Sequence, residues 1–148
     1  IKGSTPDIGL EPMINSADNY AAGERQYGED VIVHRKGATL AREGVIGIIP
    51  GSQGTASYIV EGLGNPESFC SCSHGAGRTL SRTAAIRDLN LKEEVERLDA
   101  LGIIHAIRNQ DDMQEASGAY KDIETVIANE ADLVKVKTRL LPVAVIKG

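Results

Sequence analysis

The sequence predicts an α+β fold in which strands and helices occupy separate stretches of the chain. Three observations carry this. The short apolar runs "VIVHR" (31–35), "GVIGIIP" (44–50) and "SYIVEGL" (57–63) are rich in Ile and Val and are divided by Gly and Pro. From Ser81 onward the pattern becomes helical, with polar residues suited to capping. The tail "LVKVKTRLLPVAVIKG" alternates early and is apolar late, as one or two strands would. The 148 residues suffice for one modest domain, 1–148, with a real core. Aromatics are 3% of the chain and Trp is absent, so that core must come from Ile, Val, Leu and Ala.

Residues 1–30 are polar and turn-rich, so we expect irregular structure there, with a short helix near Ala21 to Tyr27. After the three apolar runs, "ESFCSCS" (67–73) alternates and reads as extended. The intervening "SYIVEGLGNPESF" looks like a hairpin. Ser81 can cap a helix through "RTAAIRDL". Asn90 can cap a second, with Glu93 placed as in a capping box. Leu91, Val95, Leu98 and Leu101 fall on one face of it, and Gly102 is placed to end it. "GIIHAI" reads as a strand and "YKDIETVIANE" as a helix of about two turns. No repeat or low-complexity segment interrupts this order.

The formal net charge of −5 argues against a surface that binds polyanions everywhere, but leaves room for a local basic site. Arg35, Lys36, Arg42, Arg78 and Arg82 all fall near glycine-rich stretches. Cys70 and Cys72, two positions apart, cannot bridge each other without strain. Free thiols imply a reducing compartment, most simply the cytoplasm. The start at Ile1 reads as a piece of a longer chain, and no leader or membrane span is expected.

Two loops stand out. "IPGSQGTAS" (49–57) and "SHGAGR" (73–78) combine glycines with hydroxyls or arginine, which suits phosphate. Neither has the lysine spacing of a P-loop, and glycine-rich loops between strands also serve simply as tight turns. His74, directly before Gly-Ala-Gly, has no bulky neighbour on its C-terminal side. A neutral imidazole there suits a nucleophile on phosphorus, a general base or a metal ligand. The plainer alternative is a histidine that makes one hydrogen bond inside a turn. His105, in an apolar run, reads as a core residue, and His34 is undecided.

The run "RKGATLAREGVIGIIPGSQGTASYIVEGLGNPESFCSCSHGAGRTLSR", then "GAYKDIETVIANEADLVKV" and the terminal "VIKG", resemble the C-terminal part of the RtcB family of RNA-splicing ligases. The resemblance runs from about Ile14 to Gly148. It implies a β-rich nucleotide-binding core with flanking helices, incomplete in this chain. It also implies that His74 attacks the α-phosphate of GTP and carries GMP to an RNA 3′-phosphate (or 2′,3′-cyclic phosphate) end. A 5′-hydroxyl end then displaces GMP, in tRNA splicing or RNA repair. The implied cofactors are GTP and manganese, the partner is RNA with those ends, and an accessory activator protein is a candidate partner. The GTP contacts fall on Pro50, Gly51, Ser52, Gln53, Ser57, His74, Gly75, Ala76, Gly77 and Lys147. The segment "AYKDI" around Tyr120 falls beside the guanine. Cys70 and Cys72 stand where the family carries cysteines that bind no metal.

The resemblance breaks at "INSADNYAAGERQYGED". The family reads His-Asn-Tyr there, with the histidine on manganese and the asparagine beside GTP. This chain has Asp18, Asn19 and Tyr20, with Ala17 before them. Asp18 is a hard oxygen donor that suits manganese or magnesium, and it brings a charge that imidazole lacks. The resemblance assigns the other metal ligands to an upstream portion. The expectation is therefore a ligase portion with little activity by itself. The alternative is a silent fragment or relative that binds GTP or RNA without ligating.

Overall fold

A computed structural model of the chain describes residues 13–146. It is mixed α and β, with most strands before residue 74 or after residue 133 and the α-helices between them, where one two-residue strand also lies. β1 (Asn19–Gln26) and β2 (Glu29–Lys36) form an antiparallel hairpin. β3 (Ala38–Leu40) pairs antiparallel with β6 (Ser71–Ser73). β4 (Ile46–Ile49), β5 (Ser57–Gly62) and β8 (Val134–Leu140) make a three-stranded antiparallel sheet in that order. β7 (Ile104–His105) pairs in parallel with β9 (Ala144–Val145). The helices are α1 (Arg82–Asp88), α2 (Leu91–Ala100) and α3 (Ile123–Asn129). Among the described residues no helix is long and apolar enough to cross a membrane.

The expected helix at Ala21 to Tyr27 is instead strand β1. Gln26 pairs with Glu29 across a two-residue turn in which Tyr27 and Gly28 have φ of 51° and 84°. That left-handed pair makes the tight turn whose twist suits a hairpin. Tyr27 is held in this uncommon conformation by its hydroxyl, which donates to the Pro66 carbonyl at 2.7 Å, and by an edge contact with Phe69. The second correction concerns "SYIVEGLGNPESF". β5 does not fold back on β6; it lies between β4 and β8, while β6 joins β3. A 3-10 turn at Pro66–Ser68 and left-handed Phe69 and Cys70 redirect the chain between the two sheets.

The helix caps follow the sequence. The Ser81 side chain accepts from the Ala84 N–H, and Asn90 accepts from the N–H groups of Lys92 and Glu93. Glu93 meets the Asn90 side-chain amide rather than its backbone, so only half of the expected box forms. On α2 the buried residues are Leu98 and Glu94, whereas Leu101 is exposed. α3 is capped by Asp122, whose carboxylate is held low by Thr125. Its Ile123 packs into the core with Ile49, Tyr58, Val60, Cys72 and Ala76. Ala76 belongs to the "HGAG" loop, so that loop is fastened to the central sheet by burial.

β1 and β2 also bury an ion pair. The Arg35 side chain is 1% exposed and that of Glu24 3%. Arg35 donates to both Glu24 oxygens, to Tyr20 Oη, to Ser71 Oγ and to the Phe69 carbonyl. The Arg35 bonds hold the Glu24 carboxyl down at about 2. A carboxyl depressed in the folded state stabilises above its unfolded pKa and loses that contribution as pH falls through the folded value. Urea denaturation should therefore show stability lost between about pH 4.5 and about pH 2. In Glu24→Gln this acid loss should be blunted, and stability at pH 7 should fall by about 3–5 kcal/mol because Arg35 is left unpaired.

Candidate functional site

The site is built around the end of β6. Ser73 pairs with Ala38, so His74 emerges opposite Gly37. The Gly37 carbonyl accepts from the His74 backbone N–H at 3.4 Å and lies 2.9 Å from the ring Nδ1. A carbonyl oxygen only accepts, so Nδ1 carries the hydrogen and the neutral ring keeps its lone pair on Nε2. Nε2 faces Asp18 Oδ2 at 4.0 Å, and the His74 side chain is 40% exposed. Asp18 is held there by its own carbonyl, which accepts the Gly37 N–H at 3.0 Å. Gly37 thus joins two residues that the sequence alone placed far apart.

The two glycine-rich loops meet. The Ala76 N–H donates to the Pro50 carbonyl at 3.0 Å, and a Cβ on Gly75 would stand 3.1 Å from that oxygen. Most of their N–H groups are already bonded. In the loop between β4 and β5, Gly51 N–H donates to Ser57 Oγ, Ser52 N–H to Thr55 Oγ1, Gly54 N–H to Ser117 Oγ and Thr55 N–H to the Ser52 carbonyl. That loop is self-braced rather than an open cradle of N–H groups. In the other loop, Gly75 N–H meets Ser73 Oγ. Gln53 is buried, and its side-chain amide donates to Glu94 at 2.9 Å. Burial pushes the Glu94 carboxyl up, but bonds from Gln53, Ser117 and Arg97 outweigh it and hold it low.

The arginines expected to serve as a basic site are committed elsewhere. Arg35 lies in its buried pair, and Arg42 stands 3.5 Å from the same Glu24. Arg78 stacks on Tyr120, with 4.8 Å to the ring centroid, and donates to Tyr120 Oη, Glu115 and the carbonyls of Leu80 and Gln114. Arg82 reaches Glu115 at 3.4 Å. Tyr120 also donates to Glu115, and burial together with that carboxylate pushes its hydroxyl pKa up. These contacts make Arg78 a brace between the "HGAGR" loop and residues 114–120.

Beside His74 opens a cleft of about 610 Å³, lined by Gly37, Ser73, Gly77, Lys121 and Glu130 among others. A neighbouring cleft of about 390 Å³ contains Thr55, Glu94, Arg97, Tyr120 and Lys121. Sequence reasoning missed Gly37 and Glu130, and it gave no role of its own to Lys121, which lies in the "AYKDI" segment. Only position in the fold marks them, because strand pairing brings Gly37 to His74 and the Lys121 N–H donates to the Gly77 carbonyl at 2.9 Å. Glu130 accepts the Ser73 N–H at 2.8 Å, and burial pushes its carboxyl up. Asn19 is exposed at the start of β1, next to Asp18. Lys147 lies outside the described residues.

Asp18 offers a carboxylate and His74 an imidazole, both donors that manganese accepts. Among the described residues no group of three or more His, Cys, Asp or Glu suits a metal. The pair therefore fits a divalent ion only as the edge of a larger ligand set. One lone pair cannot both hold a cation and attack phosphorus, so Asp18 is the better candidate ligand. Cys72 is buried against Thr39, and burial pushes its thiol up.

Nitrogen-detected NMR of neutral His74 should show the proton on Nδ1. In addition, Gly51→Ala, whose Cβ would collide with the Ala56 carbonyl, should cost about 1–3 kcal/mol by thermal denaturation. Gly23→Ala, with nothing within 4 Å, should change stability by less than about 1 kcal/mol.

Comparison with known proteins gives the family. The chain is 46% identical over 135 residues to the RNA-splicing ligase RtcB of Escherichia coli K12, covering 91% of this chain and 32% of that protein. It is 38% identical to the tRNA-splicing ligase RtcB of Nanoarchaeum equitans, covering 95% of this chain and 34% of the relative. For the tRNA-splicing ligase RtcB of Pyrococcus furiosus the identity is 37%, over 96% of this chain and 17% of the relative. The chain thus spans about a third or less of the length of these relatives. The family model described as tRNA-splicing ligase RtcB matches residues 1–148, and the chain belongs to the RtcB family.

Proposed function

We propose that this chain is the nucleotide-transfer portion of a GTP-dependent RNA ligase. It joins an RNA 3′-phosphate, or 2′,3′-cyclic phosphate, to a 5′-hydroxyl through a GMP–histidine intermediate on His74. The observation that carries the reading is the half-exposed His74 ring at the edge of the cleft, with Nδ1–H on the Gly37 carbonyl and Nε2 left without a hydrogen, 4.0 Å from Asp18 Oδ2. Nε2 attacks the α-phosphorus of GTP; an N–P bond forms as the P–O bond to pyrophosphate breaks. The positive charge that develops on the ring is shared with the Gly37 carbonyl through Nδ1–H. An oxygen of the RNA 3′-phosphate then attacks the same phosphorus, the N–P bond breaks, and the lone pair returns to Nε2. Finally the 5′-hydroxyl attacks the activated 3′-phosphate, loses its proton, and GMP leaves.

Asn19, Pro50, Gly51, Ser52, Gln53, Ser57, Gly75, Ala76, Gly77 and Lys147 are the nucleotide contacts in this reading. The packing of the two loops across Pro50 and Ala76 supports a shared site. Manganese, when bound, supplies charge withdrawal from the phosphates, and Asp18 is the residue of this chain that would hold it. The free thiols Cys70 and Cys72 support a cytoplasmic setting. The aspartate at position 18 and the lack of a third metal donor among the described residues favour a second reading for the chain alone, binding without transfer.

Intact-mass spectrometry after incubation with GTP and manganese tests both. The chain alone should form little adduct. Supplied with the preceding portion of the Escherichia coli relative, it should carry GMP on His74. The adduct should vanish in His74→Ala and rise in Asp18→His. An adduct on a lysine would overturn the mechanism.

A further inference from the structure

Arg35, Arg42, Arg78 and Arg82, which lie near the glycine-rich stretches in sequence, pair with carboxylates, and none lines the His74 cleft, which leaves open what would hold a phosphate there. Among the described residues lining the cleft, Lys121 is the only lysine or arginine. Its ammonium has no carboxylate within 4 Å among the described residues, in contrast to Arg35, Arg42, Arg78 and Arg82. The adjacent Asp122 does not neutralise it, because the Asp122 carboxylate turns to the N–H groups of Glu124 and Thr125 and to the Thr125 hydroxyl. The Lys121 backbone is fixed by its bond to the Gly77 carbonyl, and the side chain lies along Gly77. A Cβ on Gly77 would stand 3.8 Å from Lys121 Cδ and 3.9 Å from Nζ. At φ 73° this position favours glycine, and the bare backbone lets the ammonium approach.

The loop itself supplies a second donor. His74 N–H goes to Gly37, Gly75 N–H to Ser73 Oγ and Ala76 N–H to Pro50. The Gly77 N–H has no partner among the described residues. An open backbone donor and an unpaired ammonium therefore sit side by side, three residues from the proposed nucleophile. Together they match the oxygens of a phosphoryl group, for which lysine acts as a mobile point charge.

We infer that Lys121, with the Gly77 N–H, is a phosphate-positioning residue of the His74 cleft, holding a non-bridging oxygen of the phosphoryl group presented to Nε2. This rests on the ligase reading above, which contains Gly77 among its contacts but gives Lys121 no role. Asp122 and Glu130 also line the cleft. Their carboxylates would repel a phosphate, so the ammonium is the group that makes the cleft accept one. The phosphate could come from the nucleotide or from the RNA end, and the two sources share this chemistry.

The test uses the 148-residue chain with inorganic pyrophosphate as probe, reading the His74 ring resonance by NMR. Pyrophosphate should shift that resonance saturably. Lys121→Met should weaken it about tenfold, the loss expected for one charge-assisted hydrogen bond. Lys121→Arg should bind within about threefold of the parent. Melting temperature should be unchanged in both, since the ammonium has no partner to lose. Replacing pyrophosphate with a 3′-phosphorylated uridine nucleotide identifies the source: the ligand whose binding depends more on Lys121 is the one held. Equal pyrophosphate affinity in parent and Lys121→Met overturns the inference, as does the absence of any His74 response. Failure of the ligase reading looks different: Lys121-dependent phosphate binding would persist, yet no GMP would attach to His74 in the complemented protein.

Discussion

One buried guanidinium holds together the three segments on which His74 depends. Arg35 sits on β2, takes Glu24 and Tyr20 from β1, and reaches Ser71 and the Phe69 carbonyl at the entry to β6. An unpaired charge at this depth would cost several kcal/mol, so every bond on the guanidinium is needed to make its burial tolerable. The arrangement forces β1, β2 and the chain entering β6 into one relative position. Residues 37 and 74 follow directly on those segments. The imidazole is therefore aimed by a salt bridge that never touches it.

The second constraint is the fastening of the "HGAG" loop to the central sheet. Ala76 is buried with Ile49 and Tyr58, and its N–H is tied to Pro50. Both effects act on a backbone with little side chain of its own, so position comes from burial and hydrogen bonding rather than from bulk. The same economy appears between β4 and β5, where hydroxyls of Ser57, Thr55 and Ser117 hold backbone N–H groups. Glycine is required there because neighbours stand where a Cβ would go: at Gly54 it would lie 2.7 Å from Ser117 Oγ.

Arginine and lysine differ in how they are held here: among the described residues Arg35, Arg42, Arg78 and Arg82 are paired with carboxylates and Lys121 is not. Arg78 stacks on Tyr120 and is surrounded by acceptors, which suits a brace. Arg82 shares Glu115 with it. An arginine held this way gives little to a substrate, because moving it would break several bonds at once. Lysine keeps its charge on a flexible stem and gives up little when it turns toward a ligand.

The sequence by itself determined a good part of this. The apolar runs at 44–50 and 57–63 contain β4 and β5, Ser81 and Asn90 cap α1 and α2, and "SHGAGR" marked His74 and the family. These are local signals: hydrophobic spacing, capping hydroxyls and amides, and a short motif whose residues act within one loop. The same local reading failed at Ala21 to Tyr27, where pairing with β2 overrode the expected helix, and at residues 57–69, where β5 chose β4 and β8 over β6. The resemblance already set Asp18 beside His74; tertiary structure alone decided that Gly37 is the link between them, that Arg35, Arg42, Arg78 and Arg82 pair with carboxylates, and that Lys121 is left free beside Gly77. Strand partners and ion-pair partners are chosen between residues far apart in the chain. The energy that selects them comes from contacts formed only when the sheets and loops have come together.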